Sequence, residues 1–400
     1  MMTSCLANRY GFFICRNLNS CYSWLRLAGH DTKEALATYH APGRLLTTTG
    51  DQRHSIERKT SSSRDQAYFD QIFPELVNGL LTNGLHYAEL QEANQWFKKV
   101  CEYNVPCGKK IRGLTVQHSY KCLVNKPNQD NLHLAGILGW CVEWFQSFLL
   151  VADDIMDNSI TRRGKSCWYR REGVGLKAIN DLLYLENTIY VILKKYFSTK
   201  PYYVDLMELF HETALQTITG QCLDLNTTPS GRLDFTYFTL DRYHTIVKWK
   251  TAYYSFCLPV ALAMYMAEIT DTKTHGNARE ILLRMGTYFQ VQDDYLDCFS
   301  DPELTGKIGT DIEDNKCSWL VVQALAKCND EQRKDNYGQN DSAKVSKVKD
   351  LYIELGLPDL YQQYEDESYK QLMELIDKLS GSLPKEMFVA YMNRIFRRQR

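Results

Sequence analysis

Apolar residues recur at intervals of three and four positions through most of the chain after Asp65. This spacing places them on one face of an α-helix, so it predicts amphipathic helices with one buried side. The first such stripe consists of Phe69, Ile72, Phe73, Leu76 and Leu80. Proline and glycine separate the helical segments, as in Pro106–Gly108, and stretches that alternate apolar and polar residues are scarce. We therefore predict an all-α domain over residues 65–400.

The most apolar stretch runs from Leu134 to Ala152 and is long enough to cross a membrane. Glu143, Gln146 and Ser147 interrupt it, and it leads directly into a group of aspartates, which a bilayer would disfavour. We therefore predict a buried core helix and no membrane span. The long polar stretch from Cys328 to Val345 is predicted to form a surface loop between two late helices.

The first 30 residues contain Arg9, Arg16 and Arg26 but no acidic residue, and apolar side chains lie between the arginines. Such a segment is typical of a mitochondrial transit peptide, whereas a secretory signal needs an unbroken apolar core. A disordered tail is the alternative that the residues leave open. Residues 31–64 are polar and are predicted to be a linker, so residues 1–64 are excluded from the fold. The predicted location is mitochondrial, and the existence of a shorter cytoplasmic form is left open.

Composition narrows the classes of function. A hydrophobic content of 44% supports a sizeable core, and a formal net charge of −1 argues against general nucleic-acid binding. Any anion site must therefore be local. The 13 cysteines show neither a CxxC pair nor regular spacing, which is typical of reduced, mostly buried thiols in an intracellular protein.

An aspartate motif carries the first candidate chemistry. The apolar run that begins at Phe148 ends in Asp153, Asp154 and Asp157. In a helix, Asp153 and Asp157 lie on one face, where like charges repel unless a cation lies between them. Oxygen-only ligands suit Mg²⁺, which keeps several waters and is commonly shared with substrate phosphates. Taken alone, the motif is explained equally well as a solvated acidic helix end.

The same spacing occurs again at Asp293, Asp294 and Asp297, also after an apolar stretch that is compatible with a helix. Two such motifs that face one another across a cavity could hold a small cluster of divalent ions. Arg162 and Arg163 follow the first motif, and guanidinium groups bind phosphate oxygens in a fork geometry. Metal-dependent diphosphate chemistry is therefore the leading hypothesis.

Further basic residues could meet a diphosphate. They are Lys109 and Arg112 in a glycine-flanked turn, Lys250, Lys307, Lys316 and the arginines of the C-terminal segment Ile395–Arg400. Backbone amides of the turn Gly108–Gly113 can approach an anion closely. Taken singly, each basic group is better explained as a solvated charge. The segment Gly306–Lys316 is the exception, because it directly follows the second aspartate motif.

In combination and order, these motifs resemble those of the eukaryotic farnesyl diphosphate synthases, in the trans-isoprenyl diphosphate synthase family. The matching strings are GKKIRGLT at 108–115, LVADDIMD at 150–157, TRRG at 161–164, GQCLD at 220–224, KT at 250–251, FQVQDDYLD at 289–297 and TGKIGTDIEDNK at 305–316. The resemblance begins at about Asp65. It implies an isoprenoid synthase-type bundle of long helices around a deep central cavity, usually as a homodimer. It also implies condensation of isopentenyl diphosphate with dimethylallyl and geranyl diphosphates to give farnesyl diphosphate.

The resemblance implies a role for each motif residue. The ligands of three Mg²⁺ ions that bridge the allylic diphosphate would be Asp153, Asp157 and Asp293. The aspartates that orient waters or ligands would be Asp154, Asp294 and Asp297. The residues that contact the allylic diphosphate would be Arg162, Lys250, Lys307 and Lys316. Those near isopentenyl diphosphate would be Lys109, Arg112, Gln146 and Arg163, and the arginine-rich C-terminus resembles a tail that closes over this second site.

The implied mechanism agrees with the chemistry of these residues. Ionisation of the allylic C–O bond leaves negative charge on the diphosphate, which Mg²⁺ and lysines such as Lys250 stabilise. The Gln290 amide and the Thr251 hydroxyl can present negative dipole ends to the carbocation, where a carboxylate or thiolate would be alkylated. The double bond of isopentenyl diphosphate then attacks, and a proton leaves to the departed diphosphate. No conventional general base is therefore assigned.

Product length is predicted to depend on the cavity floor. Phe148 and Leu149 lie five and four residues before Asp153, about one helical turn deeper. Many animal relatives have aromatic residues at both positions, and Leu149 departs from that pattern. Phe148 remains a bulky stop, so we predict farnesyl diphosphate as the product, while early release of geranyl diphosphate or a longer chain stays open. The alternative is that both side chains simply pack in the core.

Two other functions compete with this one. A terpene cyclase on the same fold also ionises allylic diphosphates, but it does not need a second diphosphate site. The presence of Lys109, Arg112, Arg163 and a complete second aspartate motif therefore favours the condensing enzyme. A non-catalytic partner subunit could lose metal ligands without penalty, whereas this chain has all six aspartates.

Overall fold

The structure is a computed structural model that describes residues 64–80, 87–228, 233–301, 309–329, 331–333, 337–379, 381 and 383–396. The predicted transit peptide, almost all of the predicted linker, Lys307 and residues 397–400 lie outside this part. The predicted boundary between residues 64 and 65 stays a prediction. Within the described part the chain is almost entirely helical, which confirms the all-α prediction.

The described part of the chain is built from a series of helices that pack on one another. They are α1 (64–80), α2 (Gln91–Asn104), α3 (Ile111–Leu123), α4 (Gln129–Met156), α5 (Ala178–Phe197), α6 (Tyr203–Leu225), α7 (Leu240–Ile246), α8 (Leu258–Met266), α9 (Thr272–Phe299), α10 (Trp319–Lys327), α11 (Ser342–Glu354), α12 (Leu357–Asp377) and α13 (Lys385–Ile395). Short 3₁₀ turns are Ala88–Leu90, Trp168–Arg170, Gly175–Lys177 and Phe235–Tyr237. The two strands among these residues, β1 (Thr161–Arg162) and β2 (Lys165–Ser166), form a small antiparallel hairpin.

The two 28-residue helices, α4 and α9, begin at side-chain caps. Asn128 accepts a hydrogen bond from the Asn131 backbone N–H, and Asp271 accepts one from the Thr274 N–H. Such caps satisfy N–H groups that a helix leaves without an intrahelical partner at its start. Both helices end in an aspartate motif, so their length and direction carry the two motifs into the interior.

The helix α4 lies at the centre of the fold and packs against α3, α5 and α8. Trp140 and Trp144 are fully buried, and Phe69 of α1 stacks on Trp140 at 4.7 Å. A Cβ atom at Gly139 would lie 2.4 Å from the Gly113 carbonyl oxygen, so the α3–α4 crossing requires glycine. Within the described residues, α4 is the one helix long and apolar enough to span a membrane, and 83% of its apolar window is buried in the protein. The predicted core helix is confirmed.

Two parts of the chain differ from the sequence-based expectation. The segment from Val247 to Cys257 is a π-helix between α7 and α8, where the pattern predicts only a helical run. The loop predicted to end at Val345 ends at Asp341, because that aspartate caps α11 at the Ala343 N–H. Tyr337 in this loop is buried and donates to the Lys316 carbonyl at 2.6 Å, so the loop also fixes a site segment.

Candidate active site

One cavity of about 1580 Å³ is bordered by α3, α4, α6, the π-helix and α9. Every residue of the predicted binding, catalytic, chain-length and metal sets that the structure describes lines it. These residues are Lys109, Arg112, Gln146, Phe148, Leu149, Asp153, Asp157, Arg162, Arg163, Lys250, Thr251, Gln290, Asp293 and Lys316. Folding therefore brings side chains that are distant in sequence to one place.

The carboxyl end of α4 carries the first aspartate motif. Asp153 and Asp157 line the cavity, whereas Asp154 is buried behind it. Successive helical residues are rotated by about 100°, which separates Asp154 from the face that its neighbours share. Arg162 Nη2 lies 2.6 Å from Asp154 Oδ1 and 3.3 Å from Asp153 Oδ2. In this arrangement Asp154 holds Arg162 at the edge of the cavity.

Two lysines lie among the carboxylates of the cavity. Lys250 Nζ is 2.7 Å from Asp224 Oδ2 and 3.3 Å from Asp153 Oδ1. Lys316 Nζ is 2.8 Å from Asp157 Oδ2 and 3.2 Å from Asp224 Oδ2. Burial opposes ionisation of Asp224, but the two lysines outweigh it and lower its pKa to about 2. Burial also opposes ionisation of Asp153, and nearby cations, Lys250 foremost, still lower its pKa.

Sequence reasoning assigns no role to Asp224, although it lies in the matching string GQCLD. The structure shows that it holds both lysines of the cavity. Gln221, one turn earlier on α6, donates to Asp153 Oδ1 at 3.3 Å. The sequence did contain one indication of this role. Gln221 and Asp224 are three residues apart, which places both polar side chains on the same face of a helix.

The helix α9 forms another wall and carries the second motif. Asp293 and Asp294 both line the cavity, and Asp294 is buried and accepts a hydrogen bond from the Trp319 N–H at 2.7 Å, at the start of α10. Burial raises the pKa of Asp294 to about 7. Asp297 accepts from the Asp311 N–H at 3.1 Å. Asp294 and Asp297 thus anchor the segments that follow α9.

A neutral polar pair lies beside this wall. The Thr251 hydroxyl donates to Gln290 Oε1 at 3.1 Å, and Gln290 Nε2 donates to Asp294 Oδ1 at 2.9 Å. The carboxyl group of Asp294 therefore determines which way the Gln290 amide is turned. Thr251 and Gln290 both line the cavity, so this neutral pair lies at its wall.

The turn before α3 brings a second group of basic residues to the cavity. Arg112 donates to the buried Ser255 hydroxyl at 2.8 Å and to the Tyr254 hydroxyl at 3.2 Å, and its guanidinium lies 4.9 Å from the Tyr254 ring centre. Both acceptors are neutral. Sequence reasoning missed Ser255 and Tyr254, because the π-helix that presents them leaves no clear periodic signal.

Arg163 reaches the same turn from the β-hairpin. Its guanidinium donates to the Cys107 carbonyl, next to Gly108, whose φ is 94°. A Cβ atom at Gly108 would lie 2.8 Å from the Arg163 guanidinium carbon, which a flexible side chain can move to relieve, so it is the positive φ that favours glycine here. Burial lowers the pKa of Arg163, and Arg112 contributes to the lowering.

The donor set of the cavity fits a hard divalent cation. Asp153, Asp157 and Asp293 offer only oxygen atoms, and Mg²⁺ is commonly bound through one or two carboxylates together with water and phosphate. In the described part of the chain, no three His, Cys, Asp or Glu side chains gather into a group that could hold a metal ion.

A comparison with protein-family models decides the family. The model described as polyprenyl synthetase matches residues 94–355. The chain belongs to the polyprenyl synthetase family. This membership agrees with the all-α fold of the described residues.

Known polyprenyl synthetases include close relatives of the chain. A farnesyl pyrophosphate synthase of Gallus gallus is 53% identical over 342 residues, which cover 84% of this chain and 93% of that protein. The Homo sapiens farnesyl pyrophosphate synthase is 49% identical over 360 residues, 89% of this chain and 85% of the relative. The solved structure of T. brucei farnesyl diphosphate synthase complexed with risedronate gives a TM-score of 0.78 at 37% identity, and covers 84% of this chain and 100% of that one. The resemblance predicted from the motifs is confirmed.

Proposed function

We propose that this polyprenyl synthetase condenses isopentenyl diphosphate with dimethylallyl diphosphate and then with geranyl diphosphate to give farnesyl diphosphate. One observation carries the proposal: a single cavity contains two separate cationic regions. Lys250 and Lys316 lie at the aspartates, and Arg112 and Arg163 lie at the turn before α3. This arrangement supports separate sites for two diphosphates. Relatives named farnesyl pyrophosphate synthase support the same reaction over a cyclase or a non-catalytic subunit.

Magnesium dependence is part of this proposal. Asp153, Asp157 and Asp293 are the residues that would hold the ions, three per active site, together with the allylic diphosphate. When bound, Mg²⁺ would neutralise diphosphate charge and stabilise the leaving group. Asp153 would enter this site as a carboxylate, because nearby cations, Lys250 foremost, lower its pKa, whereas burial and Asp153 raise the pKa of Asp157.

Ionisation of the allylic diphosphate creates a negative and a positive charge, and different side chains would stabilise each of them. Lys250 and Lys316 lie where the leaving diphosphate would gain negative charge, with Arg162 beside them and Lys307 predicted to join them. Thr251 and Gln290 offer neutral oxygens to the carbocation. Lys109, Arg112, Arg163 and Gln146 would orient isopentenyl diphosphate so that its double bond faces the cation.

Product length is proposed to depend on Phe148 and Leu149. Phe148 is buried and packs edge-to-face on Phe145 at 5.1 Å, and both Phe148 and Leu149 line the cavity. The bulk of Phe148 favours a fifteen-carbon product. Leu149 is smaller than an aromatic ring and reshapes the cavity floor, so the proposal includes release of some geranyl diphosphate or of a longer chain beside farnesyl diphosphate.

The direct test is incubation of the purified chain with isopentenyl and dimethylallyl diphosphates and Mg²⁺, followed by analysis of product chain length. We expect farnesyl diphosphate, with turnover abolished by EDTA and restored by added Mg²⁺. A volatile terpene from farnesyl diphosphate alone would instead identify a cyclase. A chain that is inactive alone but stimulates another synthase would identify a partner subunit.

Mitochondrial import through residues 1–64 is also proposed. It is supported by the arginines and the lack of acidic residues in residues 1–30. A fusion of residues 1–64 to a fluorescent protein should enter mitochondria, and replacement of Arg9, Arg16 and Arg26 by glutamate should leave it in the cytoplasm. Import of the glutamate variant would contradict the proposal.

A further inference from the structure

The turn that joins the first aspartate motif to Arg162 has no assigned function. It comprises Asn158–Ile160 and directly follows Asp157. Asn158 has a φ of 54°, in the left-handed region that asparagine adopts more readily than most residues, so the residue type suits the turn. Its position matters, because one end carries Asp157 and the other leads into Arg162.

Side chains of the 3₁₀ turn Trp168–Arg170 bind the carbonyl groups of this turn. Arg170 Nη2 donates to the Asn158 carbonyl at 2.8 Å, and Arg170 Nε lies 3.2 Å from the Ser159 carbonyl. The Tyr169 hydroxyl donates to the same Ser159 carbonyl at 2.9 Å and accepts from Arg170 Nε at 2.8 Å. The Arg170 guanidinium also lies 5.2 Å from the Tyr169 ring centre. The two side chains thus form one clamp.

The backbone completes this clamp. The Cys167 N–H donates to the Ile160 carbonyl at 3.0 Å, so three consecutive carbonyls of the turn are bound by the segment that follows the β-hairpin. At the other side, the Ser159 N–H donates to the Asp154 carbonyl at 3.0 Å and ties the turn to α4. The hydrogen-bond acceptors of Arg170 given above are all neutral oxygens, so it acts here as a forked donor to backbone.

We infer that Arg170 is a positioning residue: it holds the turn Asn158–Ile160 and thereby fixes Asp157 relative to Arg162. The inference rests on the proposed function, in which these two residues bind the allylic diphosphate and its Mg²⁺. A planar guanidinium can span two successive carbonyls, whereas the single ammonium of a lysine cannot reproduce that fork. Arg170 also lines the cavity, so its role must be separated from simple attraction of anions.

Arg171 is the matched control, because it is the next residue, is also exposed and carries the same charge. Its guanidinium lies 4.5 Å from the Tyr103 ring centre and 5.8 Å from the Trp168 ring centre. The variants Arg170→Ala, Arg170→Lys and Arg171→Ala would be compared in the full chain. Circular dichroism and thermal midpoints would show that each variant is folded.

For Arg170→Ala we expect the KM for dimethylallyl diphosphate to rise about tenfold, the order of effect of a misplaced binding group, with the KM for isopentenyl diphosphate unchanged. Arg170→Lys should resemble Arg170→Ala, Tyr169→Phe should show a smaller rise, and Arg171→Ala should match the wild type. Calorimetric binding of dimethylallyl thiolodiphosphate, a slowly reacting analogue, with Mg²⁺ should weaken in the same order.

Three results would overturn the inference. They are full rescue by lysine, equal losses in Arg170→Ala and Arg171→Ala, or unchanged analogue binding in Arg170→Ala. A wild-type chain that binds the analogue but makes no product would count against the proposed function alone, since the binding order of the variants still tests the clamp.

Discussion

Asp224 illustrates how one buried carboxylate can organise a cation site. Its side chain is 8% exposed and contacts the ammonium groups of Lys250 and Lys316. Removal of one partner from a buried ion network leaves the others uncompensated, which is costly. The lysines are therefore held at positions where a diphosphate can bind them, and Asp224 belongs to the site although it is not part of either aspartate motif.

The substitution Asp224→Asn tests whether the charge of Asp224, rather than the size of its side chain, holds the two lysines. The substitution keeps the size of the side chain but removes the charge that holds both lysines. We expect kcat/KM for dimethylallyl diphosphate to fall at least about tenfold, which corresponds to roughly 1.4 kcal/mol of lost transition-state stabilisation. Glu208→Gln, an exposed position on the same helix, is the control and should match the wild type. Steady-state kinetics of an unimpaired Asp224→Asn enzyme would refute the role.

Phe148 is the residue at which product length can be tested. Phe148→Ala removes the ring from the cavity wall, and a growing chain could then extend past it. We expect products longer than fifteen carbons to appear beside farnesyl diphosphate, while Leu149→Phe should reduce any longer product. Chain lengths would be read by chromatography after dephosphorylation. An unchanged product distribution in Phe148→Ala would show that Phe148 does not limit the chain length of the product.

At the scale of elements, the approach of α6 to the π-helix positions Lys250. A Cβ atom at Gly220 would lie 2.1 Å from the Lys250 backbone nitrogen and 2.5 Å from the Trp249 carbonyl carbon. Backbone atoms cannot rotate away as a side chain can. Gly220 therefore permits α6 and the π-helix to approach closely, and this approach determines where Lys250 lies in the cavity.

Gly220→Ala should consequently destabilise the protein by about 1–3 kcal/mol, as overpacking of a tight contact does, and should lower kcat. Gly276→Ala is the matched control, because Gly276 is also helical and has open space around its Cβ position. That control should be neutral or stabilising by about 0.5–1 kcal/mol. Urea unfolding would measure both, and equal midpoints for the two variants would rule out the close-contact explanation.

The packing of α13 near α3 gives the protein a pH-dependent stability. Burial, helped by Arg394 on α13 and by Lys121, lowers the pKa of His118 on α3 to about 4, and Asp65 opposes this lowering. The unfolded chain has a histidine pKa of about 6.5, so folding favours the neutral imidazole. The stabilisation is complete above pH 6.5 and is lost as pH falls toward 4.

His118→Gln should therefore flatten the fall in thermal midpoint between pH 6.5 and pH 4. A neutral amide of similar size removes the titrating group without adding a charge. His211→Gln on α6, where the histidine is exposed, serves as the control. Calorimetric scans across this pH range would test the prediction, and parallel curves for wild type and His118→Gln would contradict it.

At the scale of the whole molecule, one apolar surface has no cover within the described chain. Ile179, Leu183 and Val191 on α5 and Leu215 and Ile218 on α6 are 45% to 68% exposed. These two helices pack against each other, so their apolar residues can form a joint surface. Such patches are typical of association surfaces. We propose that this face joins two copies into a homodimer.

Leu215→Glu should convert the protein to a monomer, because a carboxylate at the patch would be buried without a partner. Ile353→Glu on α11 is the control, since Ile353 is 59% exposed on another helix. Light scattering coupled to size exclusion would give the mass of each variant. A dimer that survives Leu215→Glu would place the interface elsewhere.

The sequence alone determined the fold class and the family, and it indicated the chemistry that we propose. Three- and four-residue periodicity is a local property, so the helices were readable without tertiary information, and the interrupted apolar run at Leu134–Ala152 identified the core helix. Side-chain chemistry is equally local: oxygen-only ligands at Asp153 and Asp157, with arginines close behind, indicated a metal and a diphosphate. The order of the motifs indicated the family.

The tertiary structure decided which residues meet. Asp224 reaches Lys250 and Lys316 only because α6 packs against a π-helix, a geometry that depends on a backbone contact at Gly220 rather than on any periodic pattern. Asp154 turns from the cavity to hold Arg162, and Arg170 clamps a turn whose carbonyl groups no sequence motif records. Contacts of this kind depend on how segments far apart in the chain pack together. A local pattern of residue types does not say which distant segments come into contact.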